Sequence, residues 1–292
     1  MRIGLHVSNY TGPDGPAAIG PRLAEVARSA EDAGFASFWV SDHFFQTHEE
    51  GGSHLEMLEG WSVLAFVAGL TQRMSLGTLV SGVTYRNPGV LVKTATTLDV
   101  LSGGRAWLGI GAAWYKREHT GLGIPLPPVG ERLDRLEETL RIAQQMWSDN
   151  DGRFEGRFTT MKRTVCVPQP VAKPHPPILV GGGGERRTLH LVARYGDACN
   201  LFEDLGPDGL RHKLDVLRRH CDTEQRSYET IERTSLGVVE LGPGAASAGD
   251  VVRRCRDLAG AGIQHAIFIV RNLGPVPLEV FGKEIIPEVA GF

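Results

Sequence analysis

The stretch FWVSDHFF, residues 38–45, sets a carboxylate and an imidazole side by side, Asp42 and His43, at the end of an apolar run. A histidine titrates near neutrality, so His43 is a candidate for taking and giving a proton, and an adjoining carboxylate can hold a neighbouring group or a ligand. The same spacing fits a simpler reading, in which Asp42 caps the following segment and His43 is a satisfied histidine; spacing alone favours it. Just downstream, His48 and His54 stand among Glu49, Glu50 and Glu56, residue types that suit zinc or manganese. Those residues crowd one loop, whereas barrel metalloenzymes draw ligands from several strand ends, so a solvated charged loop is expected and no metal. His6, with Glu240, keeps a metal-dependent isomerase or hydrolase as an alternative.

Three glycine-bearing stretches offer other chemistry. GGGGERRTLHLV, residues 181–192, follows the strand-like ILV and opens a helix. Backbone N–H groups at a helix N-terminus, with Arg186 and Arg187 beside them, would cradle a phosphate, although no Walker A lysine follows. LGIGAAW, residues 108–114, begins like a dinucleotide fingerprint but lacks its third glycine. A tight backbone that admits a flat ring, with Trp114 as a wall, and plain core glycines fit it about equally. LGTLVSGVTYRNPG, residues 76–89, ends in small residues and a turn before Pro88, suiting either a bulge under a ring or simple strand termination.

The elements that must position these groups alternate along the chain. Strand-like runs RIGLHV, SFWVSD, MSLGTLVS, RAWLGIGA, PPILVGG, GDACNLF, TSLGVVEL and HAIFIV are each followed by a helical stretch, making eight β-then-α units. The helices include about 21–33 with Gly34 as its stop, 60–70, one begun by Pro88, and 130–148. Continuous apolar strands call for burial on both faces, and eight unbroken repeats predict a closed (β/α)₈ TIM barrel over residues 1–292, with an open doubly wound sheet as the alternative. Two rim insertions interrupt the rhythm. Residues 115–130 lie between the fourth strand and its helix as a possible lid, and residues 151–176 carry the pattern of a hairpin. A formal charge of −3 argues against nucleic acid and anionic membranes and for a small-molecule partner. With no apolar run near about 18 residues and no signal-peptide pattern, a cytoplasmic location is expected. The four cysteines are far apart and read as reduced structural thiols.

Taken together, FWVSDH, LGTLVSGVTYRNP, TLDVLSGGRAWLGIGAAW, GERLDRLEETL and PPILVGGGGERRTL resemble, in order and spacing over essentially the whole chain, the luciferase-like superfamily of flavin and deazaflavin oxidoreductases. The sequence is most similar to the branch that uses the deazaflavin coenzyme F420. The resemblance implies hydride transfer between F420 and a small organic substrate in a TIM barrel, with an FMN-dependent monooxygenase using reduced flavin and O₂ as the alternative, and a homodimer. By position, His43 would face the reactive edge of the ring and Asp42 would contact the cofactor. Leu79 and Val80 would form a non-prolyl cis peptide beneath the ring. Gly111, Ala112 and Ala113 would form a ring-contacting turn, and Gly182, Gly183, Gly184 and Arg186 would hold the phosphate. Trp114 stands where the family's sugar-phosphate dehydrogenase has a proton-handling glutamate, which argues against sugar oxidation, and Gly111 replaces the luciferase's reactive cysteine. Substrate-lining candidates are Trp61, Trp114, Tyr115 and Phe202, with Tyr85, His119 and Arg271 behind them. A non-catalytic ligand-binding barrel is the remaining alternative.

Overall fold

Strand β1 (Arg2–Val7) is buried at every position but the first, the mark of a strand covered on both faces. In the computed structural model, which describes residues 1–292, it lies parallel to β2 (Ser37–Val40), which pairs in turn with β3 (Ser75–Thr78). A short continuation, β4 (Ser81–Gly82), follows a cis peptide between Leu79 and Val80. Next come β5 (Ala106–Gly111), an antiparallel hairpin of β6 (Phe154–Glu155) and β7 (Thr160–Met161), then β8 (Ile178–Gly181), β9 (Ala198–Phe202), β10 (Glu232–Val239) and β11 (His265–Val270). β11 pairs back onto β1, and β3 pairs with β5 through Leu76–Ala106 and Gly77–Trp107, so the parallel sheet closes into an eight-stranded barrel with β4 as an extension of β3. The open-sheet alternative is thereby excluded.

Helices wrap the outside where the periodicity places them, with well-formed ends. α1 (Ile19–Ala33) stops at Gly34, whose φ of 90° a side chain would resist. α2 (Gly60–Ala68) begins where the Glu59 carboxylate accepts from Ser62 N–H at 2.7 Å. α3 (Pro88–Ser102) has proline in its first turn and Asn87 Oδ1 accepting from Gly89 N–H at 3.0 Å. α4 (Lys116–Leu122) departs from the sequence reading, since a helix occupies the start of the segment taken as a lid. α5 (Val129–Met146), α6 (Thr188–Tyr195), α7 (Gly206–Thr223), α8 (Ala248–Gly260) and α9 (Pro275–Val280) complete the ring. None of them is long and apolar enough to cross a membrane. Their apolar faces cover the barrel in one continuous core, where each fully buried Leu, Ile, Val or Phe contributes roughly 1.5–3 kcal/mol.

The barrel interior is a second, smaller cluster: Trp39, Trp107, Leu179, Ala198 and Ile267, topped by Leu79, Val80 and Leu236. Gly77 lets it form. A Cβ there would come within 2.5 Å of the Trp39 ring, and without one the two indoles meet edge to face at 5.7 Å. Beneath them the Trp39 indole N–H donates to Ser37 Oγ at 2.6 Å, Ser37 meets His265 Nε2 at 2.9 Å, and His265 Nδ1 meets Glu232 at 3.0 Å. This buried chain plugs the end of the barrel where the strands begin. The cysteines are free and buried; burial pushes the Cys199 thiol up to about 12, which suits an inert thiol.

Candidate active site

β2 delivers Asp42 and His43 to the end of the barrel where its strands finish. Asp42 is 1% exposed, and a carboxylate buried that deeply must be paired. The Arg86 guanidinium grips it as a fork, Nη1 to Oδ2 at 2.5 Å and Nη2 to Oδ1 at 2.8 Å, while Ser81 Oγ donates to Oδ2 at 2.6 Å. Trp61 Nε1 donates to Ser81 Oγ at 3.0 Å, and Glu59 takes the other side of Arg86. The Asp42 carboxylate therefore faces Arg86 and Ser81, not open space. This corrects the expectation that its side chain reaches a ligand.

His43 has a partner that the sequence reading missed. Its Nδ1 lies 2.7 Å from Oε1 of Glu118 on α4, and Glu118 is fully buried. The same carboxylate accepts from the backbone N–H of Phe44 at 2.8 Å, from that of Phe45 at 3.3 Å, and from the Tyr85 hydroxyl. Burial works to raise the Glu118 carboxyl, but hydrogen bonds from His43, Tyr85 and Phe44 and the charge of His43 outweigh it, holding the group below the usual carboxylate range. Burial and that anion push the Tyr85 phenol up, so Tyr85 remains a donor. An anion beside one ring nitrogen favours the tautomer with its proton on Nδ1, and Nε2 has no protein partner. Trp114 and Tyr115 meet the imidazole edge to face, each at 5.6 Å.

The floor beside this pair is apolar. Val80 points into the barrel, where a Cβ on Gly111 would come within 2.7 Å of it and one on Gly181 within 2.8 Å; a Cβ on Gly109 would strike the Thr78 carbonyl at 1.7 Å. The strand-end glycines thus make room for Val80 and for the backbone. Gly111, expected on a ring-contacting turn, lies against Val80 at the end of β5. Ala112 and Ala113 follow at the rim, Ala113 with φ 60°, and Arg132 holds their carbonyls, reaching Ala112 O at 3.2 Å. At the end of β8, Gly182 has φ 114° and donates to Asn200 O, whereas the N–H groups of Gly183 and Gly184 have no acceptor. Arg186 is exposed without a partner; Arg187 is committed to Asp134 at 2.5 Å and to Gly130 O, so only one of the two arginines is free.

The structure brings His43, Leu79, Val80, Ala112, Ala113, Trp114, Phe202 and the Gly182–Gly184 turn to one end of the barrel, with Trp114 and Phe202 each 57% exposed at its lip. Two substrate-lining expectations are corrected. Trp61 is buried in the outer core, and the buried Tyr115 is tied to Gln46 O at 3.1 Å. His119 is likewise committed, between Thr84 and the Tyr115 carbonyl, each at 2.7 Å. The hairpin tip at Phe158–Thr160 does reach the rim, sharing a hollow with Thr84–Pro88. No three His, Cys, Asp or Glu side chains converge as a metal site. Glu118 was findable: Tyr115, Glu118, His119 and Leu122 recur at helical spacing, and α4 turns Glu118 and His119 inward.

Comparison with known proteins agrees with this architecture. The sequence profile of luciferase-like monooxygenases matches residues 1–270. An F420-dependent glucose-6-phosphate dehydrogenase from Kineococcus radiotolerans is 34% identical over 73% of this chain and 62% of that one. One from Amycolatopsis mediterranei is 31% identical over 74% and 64%. The matched region thus spans less than two thirds of the length of these relatives. Among solved structures, an F420-dependent secondary alcohol dehydrogenase in complex with an F420–acetone adduct superposes with a TM-score of 0.85 over 99% of this chain and 98% of that one, at 18% identity, a likeness of fold. The chain belongs to the luciferase-like monooxygenase family.

Proposed function

We propose that this protein is an oxidoreductase that uses coenzyme F420 to move a hydride to or from a small organic substrate. The observation that carries the reading is that an imidazole backed by a buried carboxylate and a glycine turn with free N–H groups stand at the same end of one barrel. Relatives named as F420-dependent support the choice of cofactor. The residues present suit such a group. Leu79, Val80 and Leu236 offer an apolar floor, and the Gly183 and Gly184 N–H groups with Arg186 offer an anion its donors at the start of α6. When bound, a deazaflavin supplies a ring carbon that gives or accepts a hydride.

His43 Nε2 holds or moves the proton that accompanies this transfer, and Glu118 stabilises the positive charge the imidazole then carries. Asp42 acts through others, fixing Arg86 and Ser81. Trp114 and Phe202 stand exposed at the lip and offer a substrate apolar contact. A homodimer belongs to the same proposal and is tested by light scattering.

Titration of intrinsic fluorescence with F420 and with FMN tests the reading. Tight F420 binding, and a His43→Ala variant that binds F420 but loses turnover, are expected. Sub-micromolar FMN binding with none of F420 would overturn it in favour of a flavin monooxygenase.

A further inference from the structure

Between the ends of β1 and β11 and the start of α1 lies a cavity of about 240 Å³, many times the roughly 30 Å³ that one water occupies in the liquid. Three of its lining side chains, His6, Ser8 and Tyr10, are 3%, 6% and 2% exposed. Each keeps a polar atom without a partner: His6 Nδ1, Ser8 Oγ and Tyr10 OH. Only six such atoms exist in the molecule, and half belong to residues that line this one cavity. An unpaired buried polar group destabilises the fold that holds it. Three gathered on one hollow point to a group that completes them.

The chemistry of the walls says what kind of group. Burial and the nearby His43 bring the His6 imidazole down to about 3, so it is neutral, and its Nε2 already meets Ser41 Oγ at 3.3 Å. Burial, reinforced by Glu59 and Asp42, pushes the Tyr10 phenol up, so it donates. The two cations on the wall are committed, Arg271 to Glu50 at 2.8 Å and Arg22 to the Tyr10 carbonyl. Every recognition group left over is uncharged. Ile269 also lines a second hollow with Phe202, Leu236 and Val238, so the two hollows meet at an apolar side chain.

We propose that His6, Ser8 and Tyr10 form the polar end of the substrate site and recognise an uncharged hydroxyl, carbonyl or amide oxygen. The enzyme then selects neutral molecules with an apolar body and rejects phosphorylated or carboxylated ones. This inference rests on the oxidoreductase reading for the meaning of substrate, but its test does not require turnover.

The test is saturation-transfer NMR on the full chain, without cofactor, using cyclohexanol, cyclohexanone and cyclohexanecarboxamide against glucose 6-phosphate and cyclohexanecarboxylate. Binding of at least one neutral probe and of neither anion is expected. In Tyr10→Phe and Ser8→Ala, affinity for that probe should fall about 2- to 12-fold, the range of a lost hydrogen bond of about 0.5–1.5 kcal/mol. Thermal midpoints should stay level or rise, because each change deletes a hydroxyl that lacks a partner in the free protein; a structural role would lower them. Anion binding as tight as the neutral probe's, no neutral probe bound, or unchanged affinity in both variants would overturn the assignment. F420 affinity is measured on the same samples. Its absence in the wild type sinks the oxidoreductase reading, whereas F420 binding with unaltered probe affinity in the variants sinks this one alone.

Discussion

Glu118 Oε1 sits 2.7 Å from His43 Nδ1, although 75 residues separate them along the chain. The carboxylate is fully buried and takes two backbone N–H groups and a phenol besides the imidazole, so it is held as an anion behind a histidine whose other nitrogen has no protein partner. That arrangement gives the imidazole a buried carboxylate partner that spacing along the chain does not reveal.

Glu118→Gln keeps the volume and removes the anion. Turnover should fall about 10²-fold or more, within the range general acid–base catalysis commands, while F420 affinity changes little. The pH profile of kcat is the informative readout, since a merely structural glutamate would leave its shape alone. An unaltered profile with near-normal turnover would remove Glu118 from the mechanism.

Asp42→Ala should cost stability as well as activity. It leaves the Arg86 guanidinium, 14% exposed at its side chain, facing only Glu59. Removing one partner of a buried ion pair costs about 3–5 kcal/mol. Urea unfolding should report a loss of that size, and a loss under 1 kcal/mol would mean the pair is far more solvated than its burial indicates.

Gly111→Ala should destabilise by about 1–3 kcal/mol through overpacking, because the new Cβ would lie 2.7 Å from Val80 Cγ2. In the double variant Gly111→Ala/Val80→Ala the clash is gone, so the combined loss should be smaller than the sum of the singles. Simple additivity in chemical denaturation would show that Val80 does not fill the space above Gly111.

Stability should decline on mild acidification. His6 is held near 3 and His265 below its ordinary value, both chiefly by burial. The unfolded chain therefore binds protons that the folded chain refuses. The stability is fully present above pH about 6.5 and is lost as pH falls, at about 1.4 kcal/mol per unit per histidine until its folded value is reached. Depressed carboxylates such as Glu118 weaken only below pH about 4.5, so the interval from 6.5 to 4.5 isolates the histidines. Unfolding free energies from pH 7 to 4.5 should fall by about 2–3 kcal/mol from His6 alone, and a His6→Gln variant should show a flatter profile.

The regular parts of the fold were legible because local signals agreed. Gly34 at the end of α1, Pro88 at the start of α3 and the apolar run of β11 each name their element without help from distant residues. The readings that failed concerned side chains whose surroundings come from elsewhere. Trp61 and Tyr115 are amphipathic aromatics that suit a pocket wall in isolation, yet the neighbours that bury them, Ser81 and Gln46, arrive from other turns of the barrel. Arg186 and Arg187 are equivalent in sequence, and contacts with α5, to Asp134 and the Gly130 carbonyl, separate them.

The amino-acid sequence by itself determined the eightfold β-then-α order, the placing of the SDH motif and the glycine turn at strand ends, and a charge suited to a small-molecule partner, because periodicity, turn chemistry and composition are local quantities. Tertiary structure alone decided that the sheet closes, that Glu118 lies against His43, that Val80 fills the space above Gly111, and that His6, Ser8 and Tyr10 line one hollow with polar atoms to spare. Those are relations between side chains far apart in the chain, and their distances are set by packing rather than by spacing.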